Sequence, residues 1–201
     1  MNKAIFIVIM TLLAAACQNK KAEQVVVTES APAVEATPAP AAPVATIDEA
    51  LFSTPLGAKL KADFNPNPVS QAAKDQNIII EYALKNNLDV KRTASGLYYV
   101  LEKEGKGTSP KPENRVSTHY KGYLLDGTEF DSSHKRGKPA DFGVTEVVPG
   151  WTEALLMMKP GGKVKLLIPS ILGWGQGGTP GGPIGPNTVT AFDMELVKIV
   201  Q

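Results

Sequence analysis

Tyr120-Lys121-Gly122-Tyr123-Leu124-Leu125-Asp126-Gly127-Thr128-Glu129-Phe130-Asp131-Ser132-Ser133 carries a two-residue turn signal, Asp126-Gly127, between segments rich in aromatic and β-branched residues. Asp-Gly between such segments is a strong short-range hairpin signal, because Gly accepts the positive φ that a tight hairpin turn demands. Val116-Ser117-Thr118-His119-Tyr120 therefore pairs with Thr128-Glu129-Phe130 or its neighbours. Asp131, Ser132 and Ser133 taken alone read as turn residues, since their short polar side chains satisfy nearby backbone groups.

Outward from this hairpin the same period of two continues. Gly96-Leu97-Tyr98-Tyr99-Val100-Leu101-Glu102 reads as a strand, and residues 164–169 and 189–200 read as two more. In the last, Phe192, Met194 and Leu196 share one face and Asp193 and Glu195 the other. A helix interrupts the strands. After Pro149-Gly150, read as a helix stop, Trp151, Ala154, Leu155 and Met158 fall at helical spacing, and Lys159-Pro160-Gly161-Gly162 ends the run. A helix of about two turns is too short to stand alone, so it must lie across a sheet face. The order predicts an α+β fold, an antiparallel β-sheet wrapped around one short α-helix.

Upstream, two helical patterns flank Asn65-Pro66-Asn67-Pro68, a break because the residue before each proline is pushed out of the helical region. The second pattern starts at Val69-Ser70, carries Ala72, Ala73, Gln76, Ile79, Ile80, Ala83 and Leu84 at spacings of three and four, and stops at Asn86-Asn87. This helix either packs against the domain or mediates a homodimer; the pattern serves both.

The first sixteen residues are Met1-Asn2-Lys3 and an apolar run closed by Ala14, Ala15 and Ala16, too short for a permanent membrane span and read as a signal peptide. Leu13-Ala14-Ala15-Ala16-Cys17 resembles the lipobox of bacterial lipoproteins, which implies lipidation of Cys17, although Leu stands four places before the cysteine instead of three. The plainer reading is a secretory signal with an incidental cysteine. The Ala/Pro tract that follows is read as an extended tether, or alternatively as a removable pro-segment. The expected organisation is thus a signal peptide at 1–16, lipidated cysteine and tether at 17–45, a helical extension at 46–94 and one domain at 95–201.

The 201 residues are 43% hydrophobic, 20% charged and 6% aromatic, enough for a packed core. The formal charge of +1 includes Lys3 of the signal segment, so the mature chain is close to neutral and lacks the basic excess that nucleic-acid binding requires. His119 and His134 are the only histidines and Cys17 the only cysteine, which supports neither a metal cluster nor a Cys-His nucleophile. Gly173-Trp174-Gly175-Gln176-Gly177-Gly178 matches a dinucleotide-binding string. Thr179-Pro180-Gly181-Gly182-Pro183 behind it forbids the helix whose N-terminus would hold pyrophosphate, and the stretch is read as a long flexible loop.

Several blocks together carry a family resemblance. The 120–133 segment resembles the signature of FKBP-type peptidyl-prolyl cis-trans isomerases, in which a hairpin ends in Phe-Asp-Ser-Ser. Val147-Val148-Pro149-Gly150-Trp151, Leu166-Leu167-Ile168-Pro169 and Ala191-Phe192-Asp193-Met194-Glu195-Leu196 resemble later blocks of the same family, in order. The resemblance covers residues 95–200, and the helical stretch before it looks like the extension of bacterial secreted members.

The activity so implied makes and breaks no bond. Resonance sets a barrier of ~18–20 kcal/mol to amide rotation, and an X-Pro bond takes tens to hundreds of seconds to cross it unaided. In the twisted transition state the carbonyl is less polar, so a dry apolar pocket favours it over the planar amide. By resemblance, Trp151 is the floor under the proline ring, with Tyr120, Phe130, Val147 and Phe192 as walls and Ile184 closing from the late loop. The Val148 N–H and the Glu146 carbonyl are backbone anchors. Asp131 accepts a hydrogen bond from Tyr120 and faces the twisting amide, and Arg136 orients the pair. Phe130, Trp151 and Phe192 each also read as ordinary core.

Two positions depart from the family. Ala140 stands where an aromatic wall is common, which predicts a wider pocket, and Trp174 stands where a tyrosine hydroxyl is common. The resemblance implies no cofactor and no metal. It implies as partners proline-containing, unfolded or partly folded exported proteins, macrolide-type inhibitors, and the membrane through a lipid anchor. The setting is the bacterial cell envelope, periplasm or cell surface. The competing expectation is a weakly catalytic or non-catalytic FKBP-like chaperone or binding module.

Overall fold

Alternation of apolar residues along the strands places one set of side chains on each face of a single antiparallel sheet. The structure is a computed structural model and describes residues 48–200; the expected signal segment, Cys17 and the Ala/Pro tract lie outside them. The strands are β1 (Lys91–Arg92), β2 (Tyr98–Lys103), β3 (Arg115–Leu124), β4 (Glu129–Ser132), β5 (Ala140–Gly143), β6 (Lys163–Ile168) and β7 (Thr190–Ile199). They run in the order β1-β2-β6-β7-β3-β4, with β5 also paired to β3. The ten-residue β3 is bonded to β7 from Val116 to Leu124. Its other edge is shared, by β5 at Arg115 to Thr118 and by β4 at Lys121 to Tyr123. Asp126-Gly127 forms the expected turn: Gly127 has φ +91° and the Asp126 carboxylate accepts the Thr128 N–H at 2.8 Å.

One face of the sheet closes on α3 (Pro149–Met157). Leu97, Val116, Tyr120, Val164, Leu166, Ile168, Phe192, Met194 and Leu196 pack there with Trp151, Ala154, Leu155 and Met158. Pro149 opens this helix rather than stopping it, since its missing N–H and fixed φ suit the first helical position. Gly122 in β3 is dictated by this face, because a Cβ there would lie 2.6 Å from the rings of both Phe130 and Phe192.

The opposite face is also covered. A 3₁₀ turn (Glu49–Ser53), α1 (Pro55–Lys61) and α2 (Gln71–Lys85) bring Phe52, Leu60, Ile79, Ile80, Ala83 and Leu84 onto Tyr98, Tyr123, Leu167 and Ala191. The extension thus packs against the chain's own sheet and supplies its edge strand β1. The Ser70 hydroxyl caps α2 by accepting the Ala73 N–H at 3.2 Å, and Asn87 with φ +51° lies just past its end.

The inward face of α2 differs from expectation in its first half. Ala72 is exposed, while Asp75 and Asn77 are buried. Asn77 is satisfied by the proline-rich break: its Nδ2 donates to the Asn65 carbonyl at 2.6 Å and its Oδ1 accepts the Asn65 N–H at 3.0 Å. Such backbone mimicry lets an amide be buried without an unpaired polar atom.

Candidate active site

The hairpin end, the start of α3 and the loop between β6 and β7 meet around a cleft of about 450 Å³. Its lining is Tyr120, Phe130, Asp131, Phe142, Glu146, Val147, Val148, Trp151, Trp174, Thr179, Pro183, Ile184 and Phe192. Every expected pocket residue is among these except Arg136, which stands just outside.

Trp151 forms the floor because α3 begins at Pro149 and points its first turn into the sheet. Three rings meet the indole edge-on: Tyr120 at 4.9 Å and 82°, Phe192 at 5.2 Å and 85°, and Phe142 at 5.6 Å and 85° between centroids and planes. Edge-to-face packing matches the positive ring edge to the negative ring face, and it positions the floor without a polar contact. The Trp151 Nε1–H is buried and has no acceptor among the described residues. Trp174 stands at the rim, edge-on to Phe130 at 5.9 Å and nearly parallel to Phe192 at 6.3 Å.

Ala140 does not line the cleft. Phe142, two residues further along β5 and so on the same face, supplies an aromatic wall there. The glycine-rich segment also differs from an open flexible loop. It contains 3₁₀ turns at Ser170–Leu172 and Gly175–Gly177. Thr179 closes it by donating its N–H to the Ile184 carbonyl at 2.8 Å and accepting the Ile184 N–H on its hydroxyl at 3.1 Å. This closure drives Ile184 into the cleft, where it is buried.

At the mouth a polar triad faces the apolar lining. The Tyr120 hydroxyl donates to Asp131 Oδ2 at 2.5 Å, and Arg136 donates through one nitrogen to Asp131 Oδ1 and through the other to the Tyr120 oxygen at 2.6 Å. The Ser132 N–H adds a bond to Asp131 Oδ1 at 2.7 Å. Partial burial opposes ionisation of Asp131 most strongly, yet the bonds from Tyr120, Arg136 and Ser132 together outweigh it and hold the carboxyl below its ordinary range. Burial and the adjacent carboxylate push the Tyr120 phenol up, against the pull of Arg136.

The two serines after Asp131 explain why the segment folds this way. Ser133 grips Tyr120 by both backbone groups, accepting its N–H on Oγ at 2.8 Å and donating the Ser133 N–H to its carbonyl at 3.0 Å. Ser132 turns its N–H to Asp131. Glu146 points its side chain away from the cleft, taking the Gly143 N–H at 2.9 Å and both contacts of Arg115, which lower its pKa in that order. It thereby fixes the turn that delivers Val147 and Val148. Among the described residues the Val148 N–H donates to no protein acceptor. Also among them, no group of three or more His, Cys, Asp or Glu side chains is placed to hold a metal ion. His119 and His134 stack ring on ring at 4.7 Å, outside the cleft lining.

Phe142, Thr179 and Pro183 escaped the sequence reading. Phe142 could have been found from its strand phase relative to Ala140, and Thr179 from the tendency of Thr to close turns beside glycine and proline.

A sheet closed on one short helix thus carries an aromatic cleft with the Asp131 carboxylate at its mouth. The model of the FKBP-type peptidyl-prolyl cis-trans isomerase family matches residues 106–197. The chain is 47% identical over 110 residues to FkpA, an FKBP-type peptidyl-prolyl cis-trans isomerase of Escherichia coli strain K12, covering 55% of this chain and 40% of that one. It is similar to the crystal structure of Escherichia coli FkpA with a TM-score of 0.57 and 41% identity, over 71% of this chain and 63% of that one. It is also similar to a peptidyl-prolyl cis-trans isomerase from Pseudomonas syringae, with a TM-score of 0.54 and 33% identity, over 74% of this chain and 98% of that one. The chain belongs to the FKBP-type peptidyl-prolyl cis-trans isomerase family. It spans less than half the length of the curated Escherichia coli relative.

Proposed function

We propose that this chain is a peptidyl-prolyl cis-trans isomerase that speeds X-Pro rotation in exported proteins of the bacterial cell envelope. The observation that carries the reading is the pairing of Asp131, held ionised by Tyr120 and Arg136, with an apolar cleft floored by Trp151. The proline ring lies on the Trp151 indole between Tyr120, Phe130, Val147, Phe192 and Ile184. The free Val148 N–H holds a substrate carbonyl, with the Glu146 carbonyl as a second backbone anchor.

A planar amide carries partial negative charge on its oxygen, and bringing that oxygen toward the Asp131 carboxylate raises the energy of the planar form. Twisting removes the resonance and with it much of that charge, so the site favours the transition state over both ground states. Leaving water also costs the planar amide more than the twisted one. No proton moves and no cofactor is required.

A protease-coupled or refolding assay on one proline peptide tests the reading. Catalysed rotation well above the spontaneous rate is expected; a rate at background would leave the fold as a binding module.

The expected N-terminal arrangement extends the proposal. Residues 1–16 direct export, Cys17 carries lipid, and residues 17–45 tether the body formed by 46–94 and 95–201. Among the described residues no helix is long and apolar enough to cross a membrane. The cleft would also accept macrolide-type inhibitors. A homodimer through α2 would use its outer side, because the inner side meets the sheet.

A further inference from the structure

Asp75, in the first half of α2, is fully buried, and its carboxyl group has no lysine or arginine partner among the described residues. Its oxygens are nevertheless satisfied. Oδ1 accepts Gln71 Nε2 at 2.6 Å, and Oδ2 accepts both the N–H and the hydroxyl of Ser170, at 2.8 and 2.6 Å. Ser170 is itself fully buried and lies 95 residues downstream, where the chain leaves β6.

That departure point sets the geometry of the rim. Ile168 is buried core, Ser170 opens the 3₁₀ turn Ser170–Leu172, the Ser170 carbonyl accepts the Gly173 N–H at 3.0 Å, and Trp174 follows at once. The segment beyond holds Thr179 and Ile184 in the cleft. A strand end followed by a turn has an N–H that the sheet no longer satisfies. A buried acceptor from another element fixes where that turn begins.

We propose that Asp75 is a positioning residue for substrate binding, acting through Ser170 to set the height of the Trp174 rim over the cleft. The extension then does more than cover the far sheet face: it fixes one wall of a pocket it never touches. A group a few tenths of an ångström out of place weakens binding out of proportion to the bond lost, because the preorganised wall must be re-ordered at each encounter. The inference rests on the isomerase reading for its kinetic arm only.

The test uses the full chain with Asp75→Ala, Asp75→Asn and Ser170→Ala. Kinetics on one proline peptide give KM and kcat separately. Acrylamide quenching in a Trp151→Phe background, where Trp174 is the sole indole, reports the rim directly, the sequence having two tryptophans. Asp75→Ala should raise KM about threefold to tenfold with kcat within about twofold, and should raise Trp174 quenching about twofold. Asparagine keeps an acceptor at the same place, so Asp75→Asn should stay within about twofold of wild type in both readouts. Ser170→Ala removes one of the two bonds and should shift both in the same direction by less, which decides the matter should Asp75→Ala not fold.

A lower melting temperature with unchanged KM and unchanged quenching would make the pair a mere fastener of α2 and overturn the proposal. Asp75→Asn behaving like Asp75→Ala would overturn it too, since the acceptor would then not be the link. Should wild type itself lack isomerase activity, the functional reading fails, and quenching together with fluorescence titration of the same peptide still decides whether Asp75 sets the rim.

Discussion

Tyr120 and Asp131, on neighbouring strands of one hairpin, are joined by a hydrogen bond of 2.5 Å from the phenol to Oδ2, with Arg136 bonded to both. The carboxylate is therefore held at the mouth of the cleft by three groups and is free to act as a fixed charge. Asp131→Ala should lower kcat/KM by roughly one or two powers of ten, the scale of a single electrostatic element. Tyr120→Phe should cost less, because Arg136 and the Ser132 N–H still hold Asp131. Steady-state kinetics on one peptide check both, and equal losses for the two variants would show that the phenol itself touches the reacting amide.

The same triad fixes the pH dependence. The Asp131 carboxyl titrates below its ordinary value and the Tyr120 phenol above its own. Asp131 thus contributes stability that is fully present above its unfolded pKa and is lost as the pH falls through the lower folded value. Activity should be level between about pH 5 and pH 9, falling only on the acid side as Asp131 protonates and on the alkaline side as Tyr120 ionises. An inflection inside that level region, between about pH 5 and pH 9, would implicate a histidine and overturn the role given to Asp131 and Tyr120.

Trp174 packs on Phe130 and Phe192 at the rim, at the position where the family resemblance leads one to expect a tyrosine. Trp174→Tyr should preserve or improve turnover, at a stability cost under about 1.5 kcal/mol for a partly exposed site. Kinetics with thermal melts check this, and a loss of turnover would show that the indole had been adopted as a binding wall.

Stability should depend on the extension and not on the tract before it. Deleting residues 18–45 should leave the melting temperature of the domain nearly unchanged. Deleting residues 46–94 would uncover Tyr98, Leu167 and Ala191, each at most 1% exposed, and should lower it sharply. Ile80→Ala, at a fully buried position of α2, should cost about 2–5 kcal/mol by denaturant titration.

Cys17→Ser should convert a detergent-partitioning protein into one released from the membrane. A variant that remains membrane-bound and processed as before would defeat the lipid-anchor proposal.

Most of the strand pattern was legible because alternation reports one buried face directly: Phe192, Met194 and Leu196 all lie against α3. The second buried face was half-written. Leu166, Leu167 and Ile168 form an unbroken apolar run, which a strand shows when both its faces are covered. The run alone does not name the covering element, and α2 offers the same apolar stripe to a sheet or to a partner helix.

At the site, the residues named by Phe-Asp-Ser-Ser and Val-Val-Pro-Gly-Trp meet in one cleft because each block is local: a hairpin end and a helix start position their side chains through nearby backbone. Chain order by itself thus determined the strands other than β1 and β5, the short helix, the Asp126-Gly127 turn and the candidate residues around Asp131 and Trp151. Tertiary structure decided that Phe142 and not Ala140 walls the cleft, that Thr179 folds the glycine-rich segment back on Ile184, and that Asp75 meets Ser170. These depend on strand phase, loop closure and the docking of elements distant in sequence. A local pattern carries no record of which partner will stand opposite a given side chain.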